Sequence, residues 1–288
     1  MRAALPDRSP EWRTTRLVDG HRVGVTVVGT GAPLVLLHGV GRDRLDWSEV
    51  VPALATGRRV IAIDLEGCGD SEVWSDRVTL RSMTEMVRRT LAALGVDGPV
   101  VAVANSMGGA VAMRLHADDP DALSGLVLAS SAGFAAGATL GLRLMAVPGV
   151  GPVLLRFRPI AARLQVRILF ADKAFATRRL VEEAAERIRR RDTRRAYFQI
   201  VRELGGWLGV RRGWREEALR PLAEARTPTL VLWGERDAVL PVRQVRAAAA
   251  ALPHARIRTL PGVGHAAQLE DPGGFVREVE AFLRDDLR

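Results

Sequence analysis

The stretch Val100-Val-Ala-Val-Ala-Asn-Ser-Met-Gly-Gly-Ala110 decides how this chain is read. Its first part is an unbroken apolar run of small and β-branched residues, the pattern of a strand buried on both faces of a parallel sheet. Asn105-Ser106-Met107 follows, then two glycines, then helical spacing over residues 107–117. A serine at a sharp strand-to-helix turn is held in a strained backbone conformation, with its hydroxyl above the sheet edge. Such a turn needs small flanking residues, and Ala104 and Gly108 are small. Serine is also a favoured helix cap, so the motif implies catalysis only if partners exist elsewhere.

Working outward, short apolar runs alternate with helical patterns. Residues 23–28, 33–37, 59–65, 100–104 and 126–129 read as strands, with helices at 47–54 and 80–94 between them. Asp19-Gly20 reads as a hairpin turn. The rhythm resumes with strands at 229–233 and 256–260 and helices at 242–252 and 275–287. This alternation predicts a three-layer α/β domain. Residues 135–220 break it with Arg-rich amphipathic patterns, clearest at 180–191 and 193–204, and read as a helical insertion.

Partners for the serine lie after the later strands. A serine nucleophile needs a base, and the base needs an orienting acid. Pro261-Gly-Val-Gly-His-Ala-Ala-Gln268 puts His265 in a Gly-rich loop, and Leu230-Val-Leu-Trp-Gly-Glu-Arg-Asp237 puts Asp237 just past another strand. Both sit at the strands' C-terminal ends, where open α/β sheets bind ligands. The order Ser106, Asp237, His265 is the one expected of this architecture. Leu36-Leu-His-Gly-Val-Gly41 offers backbone N–H groups for an oxyanion, with Val40 paired to Met107.

Together with Asp64-Leu-Glu-Gly-Cys-Gly-Asp-Ser71, these motifs resemble the α/β-hydrolase superfamily, in its cap-bearing bacterial form. The resemblance implies an α/β fold with a mostly parallel eight-stranded sheet flanked by helices. It places the core domain over residues 1–133 and 222–288, with a helical cap over 134–221 inserted after the sixth strand. It implies no cofactor, and Cys68 has no neighbouring His or second Cys that would suggest a metal. The activity it implies is a serine hydrolase cleaving a carboxylic ester or related acyl compound through an acyl-enzyme. Haloalkane dehalogenases and epoxide hydrolases of this fold use an Asp where Ser106 stands. Thioesterase, lactonase and non-catalytic ligand-binding roles stay open.

Asn105-Ser-Met-Gly-Gly109 and Gly264-His-Ala-Ala-Gln-Leu-Glu270 further resemble the meta-cleavage-product hydrolases, which hydrolyse C–C bonds. The chain departs from them at Val40-Gly-Arg-Asp43, at Ala266 where an aromatic is common, and at Ala184 where a carboxylate-binding arginine is expected. Arg187 lies on the same helical face and is the substitute. Substrate-contact candidates are His38, Gly39, Asn105, Phe134, Arg187, Trp207 and Ala266.

Composition excludes several other classes. With 288 residues, 48% of them hydrophobic and 26% charged, the chain is not disordered. No run approaches the roughly 20 apolar residues of a spanning helix. Residues 1–10 carry charge without an apolar core, so no secretory signal is expected. A lone cysteine excludes an internal disulfide and fits the reducing cytoplasm. The net charge of +9 is almost wholly arginine, since Lys173 is the only lysine, which resembles coding bias. It is also localised: residues 135–220 hold 19 basic side chains against eight acids. No recognition motif accompanies that charge, so nucleic acid is not an expected partner. A basic cap above a pocket predicts a small-molecule acyl substrate of anionic character. A cationic amphipathic cap could also dock on lipid, and pairing with Glu182, Glu183 and Glu186 would instead leave solvated helix faces.

Overall fold

Apolar runs become interior strands, and the computed structural model describes residues 14–287 of the chain. The expectation for residues 1–10 therefore lies outside the described residues. The strands are β1 (Thr15–Val18), β2 (His21–Val28), β3 (Ala32–Leu37), β4 (Arg58–Ile63), β5 (Val100–Asn105), β6 (Leu123–Ala129), β7 (Gly205–Gly206), β8 (Gly209–Val210), β9 (Thr229–Gly234) and β10 (Arg256–Leu260). Eight of them form one sheet in the order β1-β2-β4-β3-β5-β6-β9-β10, and β7 and β8 form a separate small ladder. Strand β2 runs antiparallel to both β1 and β4, and every other pairing in the large sheet is parallel. Asp19 and Gly20 both take positive φ, 49° and 82°, as a two-residue hairpin turn matched to strand twist requires.

The helices are α1 (Val51–Leu54), α2 (Leu80–Ala93), α3 (Met107–Asp118), α4 (Leu140–Ala146), α5 (Val150–Leu154), α6 (Arg158–Ile168), α7 (Arg178–Arg189), α8 (Arg191–Leu204), α9 (Arg212–Ala225), α10 (Gln244–Ala251), α11 (Ala267–Glu270) and α12 (Pro272–Asp285). On one face of the sheet Met83 and Val87 of α2, Val111 of α3, Leu222 of α9 and Ala248 of α10 share a buried cluster. On the other, Val51 and Leu54 of α1 join Trp47 and the α12 residues Phe275, Val279 and Phe282. Covering both faces is what allows the continuous apolar strands.

Elements α4 to α9 all lie between β6 and β9, which are themselves paired neighbours, with Leu126 opposite Thr229. A third apolar cluster ties this segment together: Val166 and Phe170 meet Ala184, Ile188 and Phe198, with Leu269 from beyond the segment. Helix α9 runs unbroken through residues 221 and 222 and packs against α3.

Boundaries differ from expectation where capping chemistry intervenes. The helix expected at 47–54 is a 3₁₀ turn over Arg44–Trp47, capped by Asp43, followed by α1. Pro52 explains the break, because it has no N–H to continue the first ladder and suits the start of a new helix. Helix α12 begins at Pro272 rather than 275, since Asp271 accepts from Gly274 N and proline suits the first turn. Arg190, extended at φ −66° and ψ 122°, separates α7 from α8.

Candidate active site

Ser106 sits at φ 55° and ψ −115°, one of the few non-glycine residues with positive φ, at the junction of β5 and α3. Its N–H donates to Ala129 O at 3.0 Å, and its carbonyl accepts from Gly109 and Ala132 N–H groups at 3.1 Å each. These bonds hold a conformation that an L side chain resists. The glycines behind it are steric necessities. A Cβ on Gly108 would run into the Leu37 carbonyl, and one on Gly109 would run into the Ser131 side chain. As the first residue of α3, Met107 has an N–H with no partner inside the helix.

Asp237 and His265 meet. His265 Nδ1 lies 2.7 Å from Asp237 Oδ2, with both side chains buried. The other oxygen, Oδ1, accepts from Val239 N and Leu240 N at 2.8 Å each, so the carboxylate is fixed in orientation. Glu235 faces elsewhere: it is exposed and accepts from Gly262 N at 2.8 Å. The close passage of the two loops accounts for Gly234, where a Cβ would strike the Gly264 carbonyl.

The histidine loop is also tied to the segment between β6 and β9. His265 N and Ala266 N both donate to Leu169 O, at 2.8 and 3.2 Å. Glu270 gathers three backbone donors: Gly264 N at 2.7 Å, Asp172 N at 2.7 Å and Ala171 N at 3.1 Å. Neither Leu169 nor Glu270 was a candidate from sequence. Glu270 stood in the quoted histidine motif, but its spacing alone gives no sign of where its carboxylate goes.

Loop 38–41 packs on the serine turn, with a Cβ on Gly39 coming 3.2 Å from Ser106 Cβ and Asn105 Oδ1. His38 anchors it from below. Leu65 N donates to His38 Nε2 at 2.9 Å, so Nε2 is unprotonated and Nδ1 donates to Gly39 O at 2.8 Å. Burial lowers the pKa of His38, which favours this neutral tautomer. Beneath the loop, buried Arg42 pairs with Asp46 at 2.5 and 2.7 Å. Arg44 pairs with Asp64, whose carboxylate also accepts from Arg44 N and Asp70 N.

Ser106 and His265 both line one cavity of about 660 Å³, together with Gly39, Val40 and Asn105. The rest of the wall is mostly apolar and comes from α4 to α8, including Leu142, Met145, Ile168 and Ile200. Gln165 and Tyr197 also reach it, and both close on Gly41. Cys68 is on the wall, but burial pushes its thiol up to about 12, so it carries no thiolate at neutral pH.

Several candidate contacts change role. His38 is fully buried and occupied by backbone groups, away from the cavity wall. Asn105 is on the wall, but its amide donates to Ala129 O and His265 O, which ties the serine turn to the histidine loop. Phe134 packs against Trp233 in the core, and Ala266 is buried among α6, α7 and α8 residues. Trp207 is exposed at the tip of the β7–β8 ladder, outside the cavity. Arg187 does line the cavity, but its Nε and Nη2 donate to Asp43 at 3.0 and 2.5 Å, while Nη1 is buried without a partner among the described residues.

Comparison with known proteins places this geometry. A 2-hydroxymuconate semialdehyde hydrolase of Pseudomonas sp. strain CF600 is 30% identical over 290 residues, covering 97% of this chain and 96% of that one. The fold is shared with an esterase from Rhodococcus sp. ECU1013, with TM-score 0.76, 27% identity and coverage of 94% of this chain and 98% of that one. It is shared also with a meta-cleavage product hydrolase from Pseudomonas fluorescens IP01, with TM-score 0.80, 21% identity and coverage of 96% and 100%. Residues 32–272 match the family described as the alpha/beta hydrolase fold, and the chain belongs to that family.

Proposed function

We propose that this chain is a serine hydrolase acting on an ester or related acyl compound with a large apolar acyl group. The observation that carries the reading is the 2.7 Å bond between His265 Nδ1 and Asp237, in a cavity wall shared with a serine on a strained turn. With Nδ1 committed to Asp237, the His265 Nε2 lone pair is the base for Ser106. Ser106 Oγ attacks the substrate carbonyl, its proton passes to His265, and the oxyanion is received by the N–H groups of Val40 and Met107. His265 then protonates the leaving group. Water, deprotonated by the same nitrogen, releases the acid. The apolar wall favours a lipophilic acyl chain. In this reading the cap is the segment from residue 134 to about 211, because α9 belongs with the core helix α3 on which it packs.

The test is labelling with a fluorophosphonate and mapping of the modified peptide. Label on Ser106, with loss of hydrolysis by several orders of magnitude in Ser106→Ala and an unchanged fold, is the expected result. Label elsewhere, or a variant with near-full rate, overturns it.

A second reading rests on Arg187. Its unpartnered Nη1 on the cavity wall suits a carboxylate oxygen of a bound substrate, as C–C cleavage of a meta-cleavage-type dienone would present. The similarity to a 2-hydroxymuconate semialdehyde hydrolase supports it. Turnover of such a dienone, with KM raised tenfold or more by Arg187→Met and no such rise for a neutral ester, would establish this reading over the first.

A further inference from the structure

Residues 134–171 contain five arginines and no acid, and they fall in the longest acid-free stretch of the chain. Elsewhere arginines on helix surfaces find partners one turn away: Arg178 with Glu182, Arg179 with Glu183, and Arg212 with Glu216. Arg156, Arg163 and Arg167 are exposed, and no acid among the described residues pairs with them.

The same stretch exposes large apolar side chains together. Phe157, Ile160 and Leu164 are 66%, 61% and 64% exposed, and they follow helical spacing along the start of α6 and the turn before it. All three also line the mouth of the cavity, so they form one patch and not scattered surface residues. The arginines run beside them at the neighbouring helical positions. Leu208 is 87% exposed beside Trp207 at the β7–β8 tip. That tip is fastened to α4, where Arg143 donates to Trp207 O and stacks its guanidinium 5.1 Å from the indole. Among the described residues no single helix is long and apolar enough to cross a membrane, and α4 and the α5 stretch meet at 116°.

We propose that this face, from α4 to α6 with the β7–β8 tip, docks on the surface of an anionic phospholipid bilayer. Phe157, Ile160, Leu164 and Leu208 enter the boundary between headgroups and acyl chains, and Arg156, Arg163 and Arg167 meet lipid phosphates. The cavity mouth then opens toward the lipid phase. A second copy of the chain is a poor occupant: a symmetric contact would bring two arginine fringes together with no acid between them. The docking is independent of what Ser106 does, and the test reads binding without turnover.

The test is co-sedimentation with phosphatidylcholine vesicles, alone or with about 30% phosphatidylglycerol, at low and high salt. Wild-type protein is expected to pellet with the anionic vesicles at low salt, to remain in solution with the neutral ones, and to detach as salt rises. The Phe157→Ser/Ile160→Ser/Leu164→Ser variant is expected to bind at least tenfold more weakly. Arg156→Gln/Arg163→Gln/Arg167→Gln should lose about a hundredfold, at roughly fivefold per arginine. Arg178→Gln/Arg179→Gln should change binding less than twofold. Unchanged melting temperatures would show that the variants fold, as expected for exposed positions. Absence of wild-type binding to anionic vesicles at low salt overturns the proposal. So does wild-type-level binding by either triple variant, or a patch whose substitution only dissolves a dimer in sedimentation velocity.

Discussion

At Asp237 and Glu235, two residues apart in one loop, orientation separates two otherwise similar acids. Asp237 spends one oxygen on two backbone N–H groups and the other on His265, while Glu235 turns outward to Gly262. Asp237→Asn should lower kcat by about 10⁴, and Glu235→Gln should leave it within a factor of two or so. Steady-state kinetics on a p-nitrophenyl ester would check both, and the reverse ranking would reassign the acid. Gly108 is a second such position. Gly108→Ala drives a Cβ into the Leu37 carbonyl, which cannot move without shifting β3, so a destabilisation of about 1–3 kcal/mol is expected in thermal unfolding. His38 gives the fold a pH dependence. It is neutral in the folded chain with its pKa lowered from 6.5 by burial, while in the unfolded chain it titrates at its ordinary value. Below 6.5 the unfolded state binds the extra proton, so the contribution of His38 is complete above that pH and is lost as pH falls toward the folded pKa. The slope is up to about 1.4 kcal/mol per pH unit. Urea unfolding at pH 7.5 and 5.5 should show a smaller acid loss in His38→Gln than in wild type. His116, whose pKa is also lowered by burial, contributes equally to both and cancels.

Among elements, the sheet and its helices were legible in sequence because period and burial coincide there: β5 is an apolar run, and α2 shows its stripe plainly. The positions of Ser106, Asp237 and His265 were legible for the same reason, each following a readable strand. What was hidden depended on contacts distant in sequence. Nothing local in Glu270 announces that it ties residues 171–172 to the histidine loop, and nothing in His38 says that Leu65 claims its Nε2. Phe134 and Trp207 are both aromatics near the insertion, yet one is core and the other surface. The clamp at Glu270 leads to a prediction of its own. Glu270→Ala leaves three backbone donors without their acceptor, which costs about 1–3 kcal/mol for each donor that water cannot reach. Because Gly264 precedes His265 and residues 171–172 lie just past Leu169, which holds the His265 N–H, kcat should fall at least tenfold while KM changes little. Glu270→Gln, which retains one acceptor oxygen, should recover part of the rate.

For the whole molecule, the basicity of residues 135–220 includes two contrasting groups. The arginines of α7 and α9 are largely offset by glutamates one turn away, whereas those between residues 134 and 171 are not. The second group lies beside the mouth residues Phe157, Ile160 and Leu164 and is the leading source of long-range attraction for anionic substrates. The salt dependence of kcat/KM for a soluble anionic ester should therefore flatten in Arg156→Gln/Arg163→Gln/Arg167→Gln and persist in Arg178→Gln/Arg179→Gln. Equal slopes in both would remove steering from the account. The pairing of β6 with β9 also bears on how such a molecule can diversify. The chain leaves the sheet and comes back to the adjacent position, so the strand ladder closes whatever lies in between. Ancestral chains could exchange the helices of that excursion wholesale while the sheet edge that carries Ser106, Asp237 and His265 stayed intact. Grafting the α4–α8 stretch of a relative between β6 and α9 is accordingly a route to new substrate ranges on an unchanged sheet.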